Sequence, residues 1–253
     1  MMARWVCLFV CCWLVPGSVY AKKRELVVKS QGSFAVLELF TSQGCSSCPP
    51  ADHLLSKIVR RYKGKSVFAL SFHVDYWDHL GWRDPFGRRA FTAYQQRYAA
   101  IRRSRQVYTP QMIVNGRDPF VGSNRKLALS RLKRALRSAP RGRLSLRLRM
   151  HKRRLFKGSI IFQGKTKRTL LRVALVERQL RRKVLRGENA GRTLRHDNVV
   201  RLFRTYQSTH KTFLMRIPKT IQPKHTSLIV YVQRRRDLRV LAGLEVPLQK
   251  LRP

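Results

Sequence analysis

The sequence predicts two units of different class: an α/β domain over residues 22–140, then a smaller antiparallel β-sandwich-like domain over residues 141–253. Three observations carry that expectation. In the first half, short apolar runs rich in β-branched and aromatic residues alternate with stretches of helical spacing. Beyond Arg143, apolar and polar residues alternate strictly, as in Leu144, Leu146, Leu148 and Met150. Between the two textures, Pro140-Arg141-Gly142 interrupts both patterns.

The chain opens with Arg4, an apolar run of eleven residues from Trp5 to Val15, a Pro16-Gly17 break, and Val19-Tyr20-Ala21. A bilayer crossing needs about 20 apolar residues, so the run is too short to span. It fits the core of a cleavable signal peptide over residues 1–21, an uncleaved anchor being the alternative. The mature protein is therefore expected to be periplasmic or secreted, without a transmembrane anchor after cleavage.

Phe34–Phe40 (FAVLELF) reads as a buried strand, followed by the turn Thr41-Ser-Gln-Gly44, the segment CSSCPPAD and a helical stretch to about Tyr62. Ser66–Val74 reads as a second strand. From Pro85 to Arg103, Phe86, Ala90, Ala93, Tyr94, Arg97 and Ile101 recur at helical spacing. Gln111–Gly116 is a short strand ending in Asn-Gly, and Phe120-Val121 starts its hairpin partner. Asn124 caps an amphipathic helix carrying Leu127, Leu129, Leu132 and Leu136, closed by Pro140. A parallel strand pair joined by a helix, then a hairpin and a covering helix, is the thioredoxin-like plan. Further runs at Ser159–Phe162, Leu170–Val176, Thr212–Ile217, Ser227–Val232 and Arg239–Val246, without intervening helices, predict the sandwich.

Charge is extreme, with 55 Lys+Arg against 12 Asp+Glu and a net of +43. It is spread along the chain: 23 basic and 7 acidic residues in 22–140, 31 and 5 in 141–253. A hydrophobic content of 43% excludes a disordered basic tail. Such a surface suits an anionic envelope partner. Nucleic acid fits the charge, but export and the lack of a binding motif count against it.

Cys7, Cys11 and Cys12 depart with the leader, which leaves Cys45 and Cys48. Two cysteines closing so small a loop make a poor staple and a good redox pair. At a helix start, amide N–H groups and the helix dipole favour the Cys45 thiolate, and Cys48 can resolve a mixed disulfide. Half a zinc knuckle is the competing reading, but no second pair of ligands completes it. Tyr108-Thr109-Pro110 enters a strand where the thioredoxin-like plan places a cis-proline opposite the CxxC, with Thr109 offering backbone groups to substrate; an ordinary trans-proline is the alternative. Glu38, seven residues before Cys45, is a candidate proton shuttle for Cys48, or a carboxylate satisfied by a nearby base. In the loop after the second strand, His73 and Asp75 can orient one another, and Trp77 and Trp82 can wall a substrate groove. An aromatic cover packing two domains is the blander reading. A metal site from His73, Asp75, Asp78 and His79 would be untidy.

VLELFTSQGCSSCPPAD, FHVDYWDHLGWRDPF, YTPQMIVNG and GENAGRTLRHDNVVR together closely resemble a family of predicted secreted bacterial proteins, thioredoxin-like and of largely uncharacterised function. The resemblance runs from about Phe34 to beyond Arg201. It implies a thioredoxin-like first domain and a smaller β-rich second part. By motif, Cys45 and Cys48 are then the redox pair, Thr109-Pro110 the cis-proline step, and Gly187 to Arg201 a signature of unassigned role. The Arg and Lys content outside these motifs departs from the family pattern.

The expected activity is a thiol–disulfide oxidoreductase acting on a protein or small-molecule thiol or disulfide, with no cofactor and no metal. Two alternatives compete with it. One is a copper-type metal chaperone using the cysteines and a histidine; the other is a non-enzymatic basic envelope protein in which the CSSC is a closed disulfide.

Overall fold

The computed structural model describes residues 25–165, 167–207 and 210–251. The leader expected over residues 1–21 lies outside them. Strand β1 (Glu25–Lys29) precedes β2 (Ala35–Thr41), helix α1 (Pro49–Arg61), β3 (Val67–His73), α2 (Arg89–Ile101), β4 (Gln111–Val114), β5 (Phe120–Val121) and α3 (Arg125–Leu136). The rest is β6 (Gly142–Lys152), β7 (Leu155–Gly164), β8 (Thr169–Glu177), β9 (Leu180–Lys183), β10 (Thr193–His196), β11 (Val199–Tyr206), β12 (His210–Arg216), β13 (Thr226–Arg234) and β14 (Val240–Pro247), with short 3-10 turns between.

The helices form where the sequence gives them an apolar stripe and a start. In α1, Ala51, Leu54, Leu55 and Ile58 recur at helical spacing and bury against Leu37 and Leu39 of β2. Each fully buried Leu or Ile contributes roughly 1.5–3 kcal/mol. Pro49 and Pro50 occupy the first turn, where their missing N–H groups cost no intrahelical bond. Asn124 caps α3 by accepting the Leu127 N–H at 3.0 Å.

One eight-stranded mixed sheet, in the order β14-β13-β8-β11-β3-β2-β4-β5, organises the molecule. Strand β3 runs parallel to β2, with Ala35 opposite Val67 and Thr41 opposite His73. It is also parallel to β11, at Val199 and Ser71. Helices α1 and α3 cover one face of the β2 end. On that same face, the β8–β13–β14 end carries a second sheet, β1-β6-β7-β12. There Leu144, Leu146 and Leu148 pack on Leu171, Val173, Leu175, Val230 and Val232. The opposite face packs on itself and on α2: Val36, Phe40, Leu70 and Phe72 join Phe91, Tyr94, Tyr98, Ala174, Val176, Ile229 and Tyr231. This sheet curves until β14 returns to β4, where the Val240 N–H donates to the Asn115 carbonyl at 3.1 Å.

This arrangement corrects the expected fold class. There is no α/β thioredoxin-like domain followed by a smaller antiparallel sandwich; strands from both sides of Pro140 share one large, predominantly β sheet. The physical reason lies in β8 (TLLRVALVE), buried along its whole length. A strand covered on both faces needs neighbours and layers that a small separate sandwich does not supply. It finds them in β11 and β13, and through β11 in β3.

Candidate functional site

Beyond β2 the chain turns through Ser42, Gln43 and Gly44 into Cys45, which is joined to Cys48 in a disulfide with a Cα–Cα separation of 5.4 Å. Cys48 is the residue capping the start of α1. Ser46 and Ser47 are exposed, whereas both cysteines are 0% exposed. Most amides of this turn are already committed. Gly44 N–H donates to Ser42 Oγ at 3.1 Å, Cys45 N–H to the Ser42 carbonyl at 3.3 Å, and Cys48 N–H to the Cys45 carbonyl at 3.2 Å. Ala51 N–H bonds the Cys48 carbonyl at 2.9 Å, and Pro49 and Pro50 have no N–H to offer. The amide stabilisation of a thiolate expected from the sequence is therefore largely spent. What remains is the helix dipole and the hydroxyl of Ser47, whose Oγ lies 3.3 Å from Cys45 Sγ.

The Thr109–Pro110 peptide is cis. Gly122 sits between Pro110 and Ala51 of α1, and its N–H donates to the Pro110 carbonyl at 2.8 Å. Trp77 ties this step to the cysteine turn: its Nε1–H donates to Thr109 Oγ1 at 2.8 Å, and its backbone and Cβ press on Gly44. Cys45, Cys48, Thr109, Pro110 and Trp77 thus share one neighbourhood.

His73 and Asp75 do not pair. His73, wholly buried at the end of β3, donates from Nδ1 to Asp84 Oδ2 at 2.7 Å. Asp75 instead accepts from Thr92 Oγ1 of α2 at 2.5 Å. The loop's return path decides this: Asp84 closes the loop back onto β2 by also accepting the Gln43 N–H at 2.8 Å and the Phe86 N–H at 2.9 Å. Burial resists charge on His73, but the adjacent Asp84 more than compensates and raises its pKa. Burial likewise opposes the Asp84 carboxylate, yet His73 and the two amides hold it down to about 2. The metal set weighed from the sequence is not gathered, since His79 Nδ1 donates to the Tyr76 carbonyl and Asp78 accepts the Asp84 N–H.

Gln43 is a hub that sequence reasoning missed. The Trp82 indole, a donor only, faces its Oε1 at 3.1 Å, which leaves its Nε2 to donate to His196 Nε2 at 3.2 Å. His196 therefore carries its proton on Nδ1, 3.7 Å from Asp52 Oδ2. Asp52 also accepts from Thr41 Oγ1 at 3.1 Å and lies one helical turn after Cys48, on the same face of α1. It is a buried carboxylate on the cysteine side of the sheet.

Glu38 is not. Its neighbours Leu37 and Leu39 face α1, so strand alternation turns Glu38 to the opposite face. There Tyr94 and Tyr231 donate to Oε1 at 2.6 and 2.8 Å, and Tyr98 donates to Oε2 at 2.5 Å. Burial raises its pKa, while the three hydroxyls and Arg172 act in the other direction. A proton shuttle from Glu38 to Cys48 would have to cross the sheet.

The GENAG segment, noted in the sequence without a role, reaches the cysteine turn from the far half of the chain. It is the tip of the β9–β10 hairpin, closed by Gly191 N–H on the Val184 carbonyl and Ala190 N–H on the Gly187 carbonyl. Gly187, at φ +73°, sits against the Leu80 carbonyl and Trp82, where a Cβ would approach within 3.1 Å of that oxygen. Asn189 Nδ2 donates to the carbonyls of both Gln43 and Cys45, each at 2.9 Å. Glu188 Oε2 accepts the Ser46 N–H at 2.8 Å.

Fold and site define a mixed-sheet β-rich protein with a buried cysteine pair at a helix start. The sequence profile of DUF1223, described as a family of proteins of unknown function, matches residues 36–233, and the chain belongs to that family. A crystal structure of a protein from Agrobacterium tumefaciens is similar, at 26% identity and a TM-score of 0.62, covering 86% of this chain and 96% of that one. No curated protein matches.

Proposed function

We propose that this chain is an exported thiol–disulfide oxidoreductase whose reactive group is the Cys45–Cys48 pair. One observation carries the reading: the disulfide stands at the start of α1, beside an exposed serine turn, with the Thr109–Pro110 step held alongside by Trp77. From the oxidised form, a substrate thiolate attacks Cys45 Sγ and Cys48 leaves as a thiolate that takes up a proton. A second substrate thiolate then attacks the substrate sulfur of the mixed disulfide. A substrate disulfide departs, Cys45 leaves as a thiolate, and two electrons have passed to the pair. Read backwards, the same steps oxidise the protein and reduce a substrate disulfide. The mature protein, titrated in glutathione redox buffers and quenched with an alkylating agent, is expected to show one two-electron transition and to reduce insulin. Absence of both overturns the reading.

The complete burial of both sulfurs favours a second reading, a closed structural disulfide in a basic protein of the envelope. In that case the Cys45→Ser/Cys48→Ser double variant loses thermal stability, and the wild-type pair resists every redox buffer that leaves the fold intact.

A further inference from the structure

The three backbone groups that flank the disulfide on its outer side are occupied by the protein itself. Asn189 takes the Gln43 and Cys45 carbonyls, and Glu188 takes the Ser46 N–H. The Asn189 amide is fixed in that orientation, because Arg192 Nη1 donates to its Oδ1 at 2.8 Å and leaves the NH2 to face the carbonyls. The tip rests on the Trp82 loop through Gly187 and on Gln43 through His196 of β10, so it is seated at both ends. The hairpin is anchored below its tip by buried Val184, Leu194 and His196, whereas at the tip Glu188 itself is exposed.

We propose that Glu188 and Asn189 are specificity-determining residues: the hairpin tip holds the place of a substrate segment, and an attacking thiolate reaches Cys45 only after displacing it. The inference rests on the disulfide being reactive, as proposed above. Lifting the tip also removes a carboxylate from beside Cys45 and releases the Ser46 N–H towards the sulfur, so opening and activation are one event. A partner that displaces the tip has to supply the same chemistry: an extended peptide with an amide or other paired donor for the two carbonyls and an acceptor for the Ser46 N–H.

The test uses the oxidised full-length mature protein and dithiothreitol in excess, with alkylation and mass reading the fraction reduced. Asn189→Ala is expected to speed reduction about thirtyfold, the factor that follows from losing two neutral hydrogen bonds of ordinary strength in the closed state. Glu188→Ala, at an exposed side chain, speeds it a few-fold. In the reduced form, Glu188→Gln moves the pH dependence of Cys45 alkylation to lower pH, a shift that mere loosening of the fold does not produce. Rates within twofold of wild type for both variants overturn the gate. So does a wild-type disulfide that already reacts as fast as oxidised glutathione. Should Asn189→Ala fail to fold, the two Glu188 variants decide the matter. Failure of the oxidoreductase reading is separate, since it appears as absent turnover with insulin while these reduction rates remain measurable.

Discussion

Glu38 and Gln43 lie five residues apart in the chain, and each centres a buried polar cluster built from both halves of the molecule. Around Glu38, Tyr94 and Tyr98 of α2 and Tyr231 of β13 direct three hydroxyls at one carboxylate. Arg172 lies 4.7 Å above the Tyr94 ring and bonds Gln233, which in turn bonds Tyr98. That cluster is sealed between α2 and the inside of the curved sheet. Around Gln43, groups from two distant segments meet: Trp82 and Asp84 of the loop after β3, and Asn189 and His196 of the β9–β10 hairpin. This cluster borders a disulfide and an exposed turn, and among the described residues His73 Nε2 has no hydrogen-bond partner. The comparison shows that buried charge alone does not mark chemistry. The Glu38 carboxylate, met by three hydroxyls, holds layers together, whereas the Gln43 cluster adjoins a disulfide and an exposed turn.

Substitutions at the two centres should separate these roles, the largest effect belonging to the sealed cluster. Glu38→Ala leaves three buried hydroxyls without their acceptor and is expected to cost about 3–5 kcal/mol. In a protein of this size that lowers the melting temperature by about 6–20 °C. The rate at which dithiothreitol reduces Cys45–Cys48 should not change in the folded variant. A changed rate would tie Glu38 to the cysteines and erase the contrast.

Asp84→Asn should cost less, about 2 kcal/mol at its maximum, with a characteristic pH profile. Asp84 is held at about 2, below its ordinary 3.8, so its contribution is present above pH 3.8 and fades as pH falls towards 2. His73 is raised above 6.5, so the pairing is complete below that pH and weakens as pH rises through the folded-state value. The stability gap between wild type and variant, from chemical denaturation, should therefore peak between about pH 4 and 6.5. A gap that does not shrink on either side of that window, towards pH 2 or above the folded-state His73 value, means that the pair is not charged. The smallest expected effect is Trp77→Phe, which removes the bond to Thr109 and costs about 1 kcal/mol. Chemical denaturation checks that figure, and insulin turnover should fall more steeply than stability if Thr109 positions substrate.

Much of this architecture is legible in the sequence. The run at Phe34–Phe40 becomes β2, the helical spacing after Pro85 becomes α2, and Asn124 caps α3. Local periodicity carries such information. Partner choice is long-range, and here it diverged from expectation. The contrast between alternating β6 (GRLSLRLRMHK) and the continuous apolar runs of β8 and β13 is present in the residues, and only the latter are buried on both faces. Weighted by burial rather than by chain order, that contrast points to β8 and β13 as interior members of a larger sheet. The site was half legible. CSSC and Thr-Pro are compact motifs, whereas Asp84 and Asn189 act through tertiary bonds to Gln43 that span 41 and 146 residues. The expected pairing of His73 with Asp75, and of Glu38 with Cys48, differs from the structure for one reason. Nearness in sequence was read as nearness in space, although strand alternation and loop return decide where a side chain lands.

Chain order also gives the molecule a history. A ribosome adding roughly 5–20 residues per second delivers the cysteines about ten seconds before Asn189 emerges, and before β11 arrives to cover the outer edge of β3. Until then the tip that bonds the backbone of Gln43, Cys45 and Ser46 is missing from the turn. The finished turn therefore carries bonds that the chain can make only after its second half has been synthesised.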